Sequence, residues 1–541
     1  MSGEGWSAGW GWWQARLALL LAVPVMLTGL YNTNYVFLAA PTDYRCYVPQ
    51  CEEYTMVPPS GAFEVPTEVF QPAWRARALP PAAPARPGDA CLQFKATGPG
   101  CGQHDFDNTT LEPCDQFLYR THSSIVAEFG LACAEWKRTM VGTVHNVGML
   151  ISLPIIGFIS DRWGRRAALV TSAVGAGLLG LCKSFVTSYH AYLLAELAET
   201  ILGASVYPAA FVLMIEWLGV QQRIFASLVL GIPLSGGAAL LALLDYLTGY
   251  WRLWARIAYP PSFLLLLYPW LLPESVRWLA SRGKHSEALS VLKQAAKCNN
   301  STVSEENLEK MLLSETEQAN NKIAAAEDED GLVRAFFKYG ALRRRLFVCF
   351  AWWMSAVFVF YGLAVRAHAL SGSPHINYAL VATAELPALV LNTLLLDRIG
   401  RRPLLTFAFL LTAVSLIAIS CIPQEGGWRW LGTALYLSGK VGAAMSLNAL
   451  YVYTAELFPT RARQRLLAAC STCGRVGSLL APLTPLTAAY RWWLPTALFG
   501  ALPLCSAMLT RLVPDTLHRR LPDSFADLDI EAEPVRNDNH C

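Results

Sequence analysis

Ionisable side chains stand where this chain is otherwise apolar. Arg475, Lys440 and Glu385 lie inside long apolar runs, as do His145, Glu196 and Glu199. A charge within a membrane span is costly, so such residues default to binding or ion-pathway roles. An arginine there can fork onto a carboxylate or sulfate. The plain alternative for Arg475 is an internal ion pair with Glu385. Lys440 either adds positive charge to the same region or pairs locally. Trp352, Trp353, Phe358, Phe360 and Tyr361 offer flat apolar faces to an organic ion, although an aromatic stripe at helical spacing is more often packing. Glu196 and Glu199 share one helix face. They repel, take a raised pKa, or hold a basic partner.

A second set of charges repeats. Asp161-Arg162-Trp163-Gly164-Arg165-Arg166 returns 236 residues later as Asp397-Arg398-Ile399-Gly400-Arg401-Arg402. Glu216 with Arg223 returns as Glu456 with Arg461 and Arg463, shifted by 240. Pro273-Glu274, followed by Arg277, returns as Pro514-Asp515, shifted by 241. Arginines at helix C-termini meet exposed carbonyls and the negative end of the dipole, and nearby carboxylates can pair with them. Gly164 and Gly400 suit a tight turn between paired helices. The arginines alone would only fix topology. Matched clusters at nearly constant offset point instead to a cytoplasmic gate that forms in one state and breaks in another.

These charges need elements to hold them. Hydrophobic residues are 54% of 541 and charged residues 15%, with mean hydropathy +0.33. That composition is polytopic rather than soluble. A net charge of +3 gives no reason to expect nucleic-acid binding. Windows of about 20 apolar residues predict twelve transmembrane helices. The first six are at roughly 15–39, 139–160, 167–187, 191–216, 223–245 and 252–272. The second six are at roughly 345–366, 375–396, 403–422, 430–455, 466–488 and 492–513. The expected fold is an all-α membrane protein of two pseudo-symmetric six-helix halves, 15–272 and 345–513. A central loop, 273–344, separates the halves, between an N-terminus of 1–14 and a tail of 514–541. Short helices are expected in the central loop around Leu289 and Leu292.

Segment 40–138 follows the first span. It carries Cys46, Cys51, Cys91, Cys101, Cys114 and Cys133, an even set that suggests disulfides on an oxidising side. Their pairing is open. Asn108-Thr109-Thr110 is a glycosylation sequon in the same segment. Prolines between Pro58 and Pro99 argue against a regular core there. Short loops assigned to the inside carry ten Lys/Arg; those assigned to the outside carry five, Lys183 among them. The bias places both termini in the cytoplasm.

The chain resembles the major facilitator superfamily, and within it the organic cation, anion and zwitterion transporters of the solute carriers. The resemblance rests on Val36-Phe37-Leu38-Ala39-Ala40 leading to Arg45-Cys46, Trp136-Lys137, both cassettes, Glu216-Trp217 and Pro273-Glu274-Ser275-Val276-Arg277-Trp278. It continues through Phe360-Tyr361-Gly362-Leu363, the run Tyr451 to Thr460 and Arg475-Val476-Gly477-Ser478. It implies a plasma-membrane carrier working by alternating access. It places Arg475 where anion and zwitterion carriers hold a basic residue, Lys440 in a shared Gly-Lys pair, and Phe360 and Tyr361 among substrate contacts. The chain departs from the family at Glu199, Leu389 and Val276.

The expected function is secondary transport of small organic ions, anions or zwitterions before cations. A transport-poor receptor binding a protein ligand through 40–138 is the alternative, motivated by the Pro-rich insert and the charge departures. The first span lacks Asp and Glu, so dedicated proton coupling is not favoured, although His145, Glu196 and Glu199 leave it open. No phosphate-binding loop, catalytic triad or metal constellation stands out, so no cofactor and no enzymatic activity are expected. The partners expected are the bilayer and a small organic ion.

Overall fold

The computed structural model describes residues 10–517 apart from 53–63, 81–89, 103, 219–221, 301–302, 311, 314–331, 371, 420–427, 460–461, 489 and 492, together with 522, 525 and 528. Among the described residues, the main helical segments form two sets of six in chain order. The first set is α1 (Trp12–Leu38), α2 (Glu135–Trp163), α3 (Arg165–Lys183), α4 (Tyr189–Glu216), α5 (Arg223–Thr248) and α6 (Trp251–Ala258, continued to Leu271). The second is α7 (Gly340–Arg366), α8 (Pro374–Ile399), α9 (Arg401–Ile419), α10 (Arg429–Leu457), α11 (Arg463–Leu480, continued to Ala488) and α12 (Leu494–Leu509). Among the described residues, nine helices are long and apolar enough to cross a membrane. The second half of α6 departs from the α-form. Pro260 and Pro261 remove two N–H donors, and residues Pro260–Leu267 wind as a 3-10 helix.

One apolar core runs through both sets of helices. Close approach is set by small residues. Gly29 and Gly237 bring α1 onto α5, and Gly474 and Gly477 bring α11 onto α7, where a Cβ would meet backbone of the neighbouring helix. Between the two sets, Val276–Ser281 and His285–Cys298 form the short helices expected there.

Segment 40–138 has more order than its prolines suggest, which corrects the expectation of no regular core. Strand β1 (Tyr44–Cys46) pairs antiparallel with β4 (Phe117–Tyr119), and β2 (Leu92–Ala96) with β3 (Phe106–Pro113). Disulfides Cys46–Cys114, Cys51–Cys101 and Cys91–Cys133 staple them. Cross-links spanning 68, 50 and 42 residues let a small cluster of Val48, Ala78, Leu79 and Phe106 persist without a large core. Arg45 is buried against Glu52 and lies 5.1 Å from the Trp74 ring. Asn108 is exposed on β3. Beside it, hydrogen bonds from Thr109 and Thr110 hold the Asp107 carboxyl down at about 2.

The two sets of helices meet at the ends nearest this segment, here the loop face. Phe37 of α1 packs on His375 at 5.4 Å and on Tyr378 at 5.0 Å, both of α8. His375 Nε2 lies 3.0 Å from Asp245 Oδ2 of α5. Thr33 bonds Tyr378, and Thr143 donates to the Leu479 carbonyl at 3.5 Å.

Candidate functional site

At the opposite face, the cassettes end α2 and α8. Gly164 and Gly400 have φ of +107° and +104°, a region essentially reserved for glycine. A Cβ at Gly164 would collide with the Glu274 carboxylate, and one at Gly400 with Asp515. The reason is common to both. Glu274 Oε1 accepts the backbone N–H groups of Arg165 (3.0 Å) and Arg166 (3.2 Å). Asp515 Oδ1 accepts those of Arg401 (3.1 Å) and Arg402 (3.3 Å). Each acid therefore caps the N-terminus of the next helix, α3 or α9, where orphan donors and the dipole favour an anion. Burial lifts the Glu274 carboxyl above the usual range, opposed by the N–H groups of Ser275, Arg166 and Arg165. This corrects the expected role of Glu274: it binds main chain as a cap, with the guanidinium groups directed elsewhere.

Those groups form a matched pair of networks. Arg165 Nε donates to Glu216 at 3.2 Å and Nη1 to Asp161 at 2.8 Å. Arg401 Nε donates to Glu456 at 3.0 Å, and Nη2 reaches Asp397 at 3.0 Å. Arg166 donates to the Pro269 and Leu272 carbonyls at 2.7 and 3.2 Å, closing the end of α6. Each of these bonds joins helices of one half. Arg162 and Arg398 are exposed, and Arg402, Arg277 and Arg463 are half-buried. The side chain of Arg223 and all of Arg461 lie outside the described residues. Gly164→Ala and Gly400→Ala should each lower the stability of the purified protein by about 1–3 kcal/mol for backbone strain alone; an unchanged Tm in detergent contradicts this.

The central charges are arranged differently from expectation. Lys440 Nζ of α10 pairs with Glu385 Oε1 of α8 at 2.9 Å and sits 3.4 Å from the Phe360 ring centroid. The Arg475–Glu385 pair is thus corrected, because α10 packs on α8 and brings Lys440 to the carboxylate. Arg475 Nη1 donates to the Tyr361 hydroxyl at 3.3 Å. Among the described residues, no carboxylate lies within ion-pair distance of Arg475. Gly474 and Gly477 flank it and press α11 against Trp353, Met354 and Phe358 of α7, which sets Arg475 beside Tyr361. Tyr361 is in electrostatic reach of Tyr35 on α1, and Tyr207 on α4 of Tyr451 and Glu385, so these groups face across the junction of the halves. Trp352 and Trp353 instead bond Ser506 and Thr454, both at 3.0 Å, inside the second half. Phe358 packs on Phe499 at 5.2 Å.

Asp515, matched to Glu274 by its 241-residue offset, takes the equivalent capping place. Sequence reasoning missed two residues. Arg345, 2% exposed, donates to the Leu457 carbonyl at 3.0 Å and caps α10. Lys183, assigned to an outer loop, is fully buried at the end of α3 and holds both Glu196 and Glu199. It is the basic partner left open above, from a helix whose own pattern does not announce it.

The comparisons with known proteins bear on the family and the fold. The Major Facilitator Superfamily profile matches residues 123–482 and 346–526. Solute carrier family 22 member 6 of Rattus norvegicus is 29% identical over 96% of this chain and 92% of that protein. The organic cation transporter protein of Drosophila melanogaster is 28% identical over 96% and 92%. Solute carrier family 22 member 16 of Bos taurus is 32% identical over 78% and 73%. Among solved structures, the xylose transporter XylE from E. coli superposes with a TM-score of 0.60 over 94% of this chain and 99% of that one, at 14% identity, which supports the fold. The chain is a multi-pass membrane protein that belongs to the major facilitator superfamily and, within it, to solute carrier family 22.

Proposed function

We propose that this protein is a secondary transporter of small organic ions, with anions or zwitterions preferred over cations. The observation that carries the charge preference is Arg475. It lies half-buried, bonded to Tyr361 and free of any carboxylate among the described residues, while Lys440 and Glu385 neutralise each other nearby. The junction thus holds one surplus positive charge, which a carboxylate or sulfonate compensates with forked hydrogen bonds. Phe360 and Tyr361 offer ring surface beside it. The Drosophila relative is an organic cation transporter protein by name; the surplus arginine argues for the opposite charge here.

The proposed cycle is alternating access. The cassette networks brace each half as a unit, with the cassette face and both termini cytoplasmic and segment 40–138 outside, at the plasma membrane. The contacts of Phe37, His375 and Asp245 close the loop face in the state described. Passage to the outward state requires those contacts to part. Asn108→Gln is expected to abolish a glycosidase-sensitive mass shift in expressed protein, and a retained shift contradicts the assigned orientation.

The test is uptake of labelled naphthalene-1-sulfonate, glycine betaine and tetraethylammonium into cells whose surface expression is verified, against an Asp161→Ala/Asp397→Ala control. Saturable uptake of the sulfonate or betaine, lost in the control, is the expected result. Preferred uptake of tetraethylammonium overturns the charge assignment, and uptake of none of the three overturns transport.

A further inference from the structure

The first half contains a buried charged cluster that the solute site does not use. Lys183 of α3 donates to Glu196 of α4 at 2.7 Å, to Glu199 one turn later, and to the Tyr259 hydroxyl of α6 at 3.2 Å. Its three N–H donors are thereby all engaged. Tyr259 in turn donates to the second Glu199 oxygen, and Asn34 of α1 donates to Tyr259 at 2.8 Å. The remaining Glu196 oxygen faces His145 Nδ1 of α2 at 2.7 Å. With both carboxylates ionised, all four of their oxygens accept a hydrogen bond, and His145 Nδ1 is then the donor in its contact.

The charge count follows from that geometry. Two carboxylates and one ammonium leave the cluster at −1 while His145 is neutral, and at zero when it is imidazolium. Lys183 and Glu196 are fully buried, and Glu199 and His145 are each 2% exposed. An unbalanced charge so buried is expensive, so one proton completes the cluster. Among the described residues His145 Nε2 makes no hydrogen bond, and it is the atom open to that proton. The other titratable groups facing the cluster are Tyr192 and Tyr31, with the Tyr35 ring 4.9 Å from the imidazole; beyond Tyr35 stand Tyr378 of α8 and Tyr361 of α7, the latter bonded to Arg475 of α11. Tyr35 also lines a cavity of about 30 Å³ between the halves, together with Arg138 and His368. That volume admits a water.

We infer that His145, set by Glu196, Glu199 and Lys183, is a proton-binding site, and that one proton enters with each organic anion. The proton binds Nε2 on one side of the membrane and leaves the same atom on the other, with no other bond made or broken. This inference rests on the carrier reading above. Symport of one proton with a monoanion is electroneutral.

The test uses the purified full chain in proteoliposomes with naphthalene-1-sulfonate, whose charge does not change between pH 5 and pH 8. The readout is accumulation with acid outside divided by accumulation at equal pH. For wild type, one pH unit should raise the ratio up to about tenfold at one-to-one coupling. His145→Gln should bring the ratio to about one. Glu196→Gln, which preserves shape, should do the same if the histidine variant folds poorly. A ratio of about one in wild type, or a retained pH effect in both variants, overturns the proposal. Infrared pH-difference spectra of the purified protein read the site without solute. Wild type should give pH-dependent imidazole bands that His145→Gln lacks; their absence overturns the proton site even if transport is found. Bands present with no uptake of any probe would leave the site standing and sink the carrier reading.

Discussion

Replacing Arg475 with Asp is expected to abolish uptake of naphthalene-1-sulfonate while leaving surface expression intact. The substitution turns the surplus positive charge into a negative one beside Tyr361 and Phe360. It breaks no ion pair among the described residues, because Arg475 has none there. The effect should therefore fall on solute rather than on folding. Arg475→Lys keeps the charge but loses the planar fork. Losing one charge-assisted hydrogen bond costs about 1.5–3 kcal/mol, so Arg475→Lys should retain uptake weakened roughly ten- to hundredfold. Unchanged sulfonate uptake in Arg475→Asp would remove this residue from the site. Loss of surface protein would instead assign it a structural part.

Lys183→Met is the second large effect, and it acts on stability. Removing the ammonium leaves Glu196 and Glu199 facing each other without their shared cation, in a region almost closed to solvent. Breaking a buried pair from one side costs about 3–5 kcal/mol, a large share of a typical folding free energy. The expected outcome is poor surface expression and a marked drop in Tm. Adding Glu199→Gln to Lys183→Met removes the like-charge conflict and should recover part of the loss. A Lys183→Met protein as stable as wild type would mean that the cluster is hydrated or otherwise compensated.

What could be read in the sequence was what repeats or what is local. The cassettes recur in register, and the structure gives Arg165 and Arg401 equivalent partners in Glu216 and Glu456. Apolar runs located the helices because each span carries its own signal. The short helices around Leu292 followed from helical spacing. Partner choice was hidden wherever it depends on tertiary distance. Glu385 is 90 residues from Arg475 and 55 from Lys440, yet sequence separation says nothing about which cation reaches it; the packing of α8 on α10 decides. Lys183 looked like a loop residue because it ends its helix. Only the approach of α4 and α6 makes that end a buried centre. The same applies to Pro260 and Pro261, which read as ordinary members of an apolar run but rewind half of α6. In segment 40–138, three cross-links outweigh proline content, and their pairing is a property of the folded strands.

The most direct measurement of the central claim is charge selectivity in a system with no other carrier. Purified protein in proteoliposomes would be given labelled naphthalene-1-sulfonate and tetraethylammonium in parallel at equal pH on both sides. The account predicts saturable uptake of the sulfonate, well above that of tetraethylammonium, with the preference lost in Arg475→Asp. Saturable uptake of tetraethylammonium in preference to the sulfonate would contradict it.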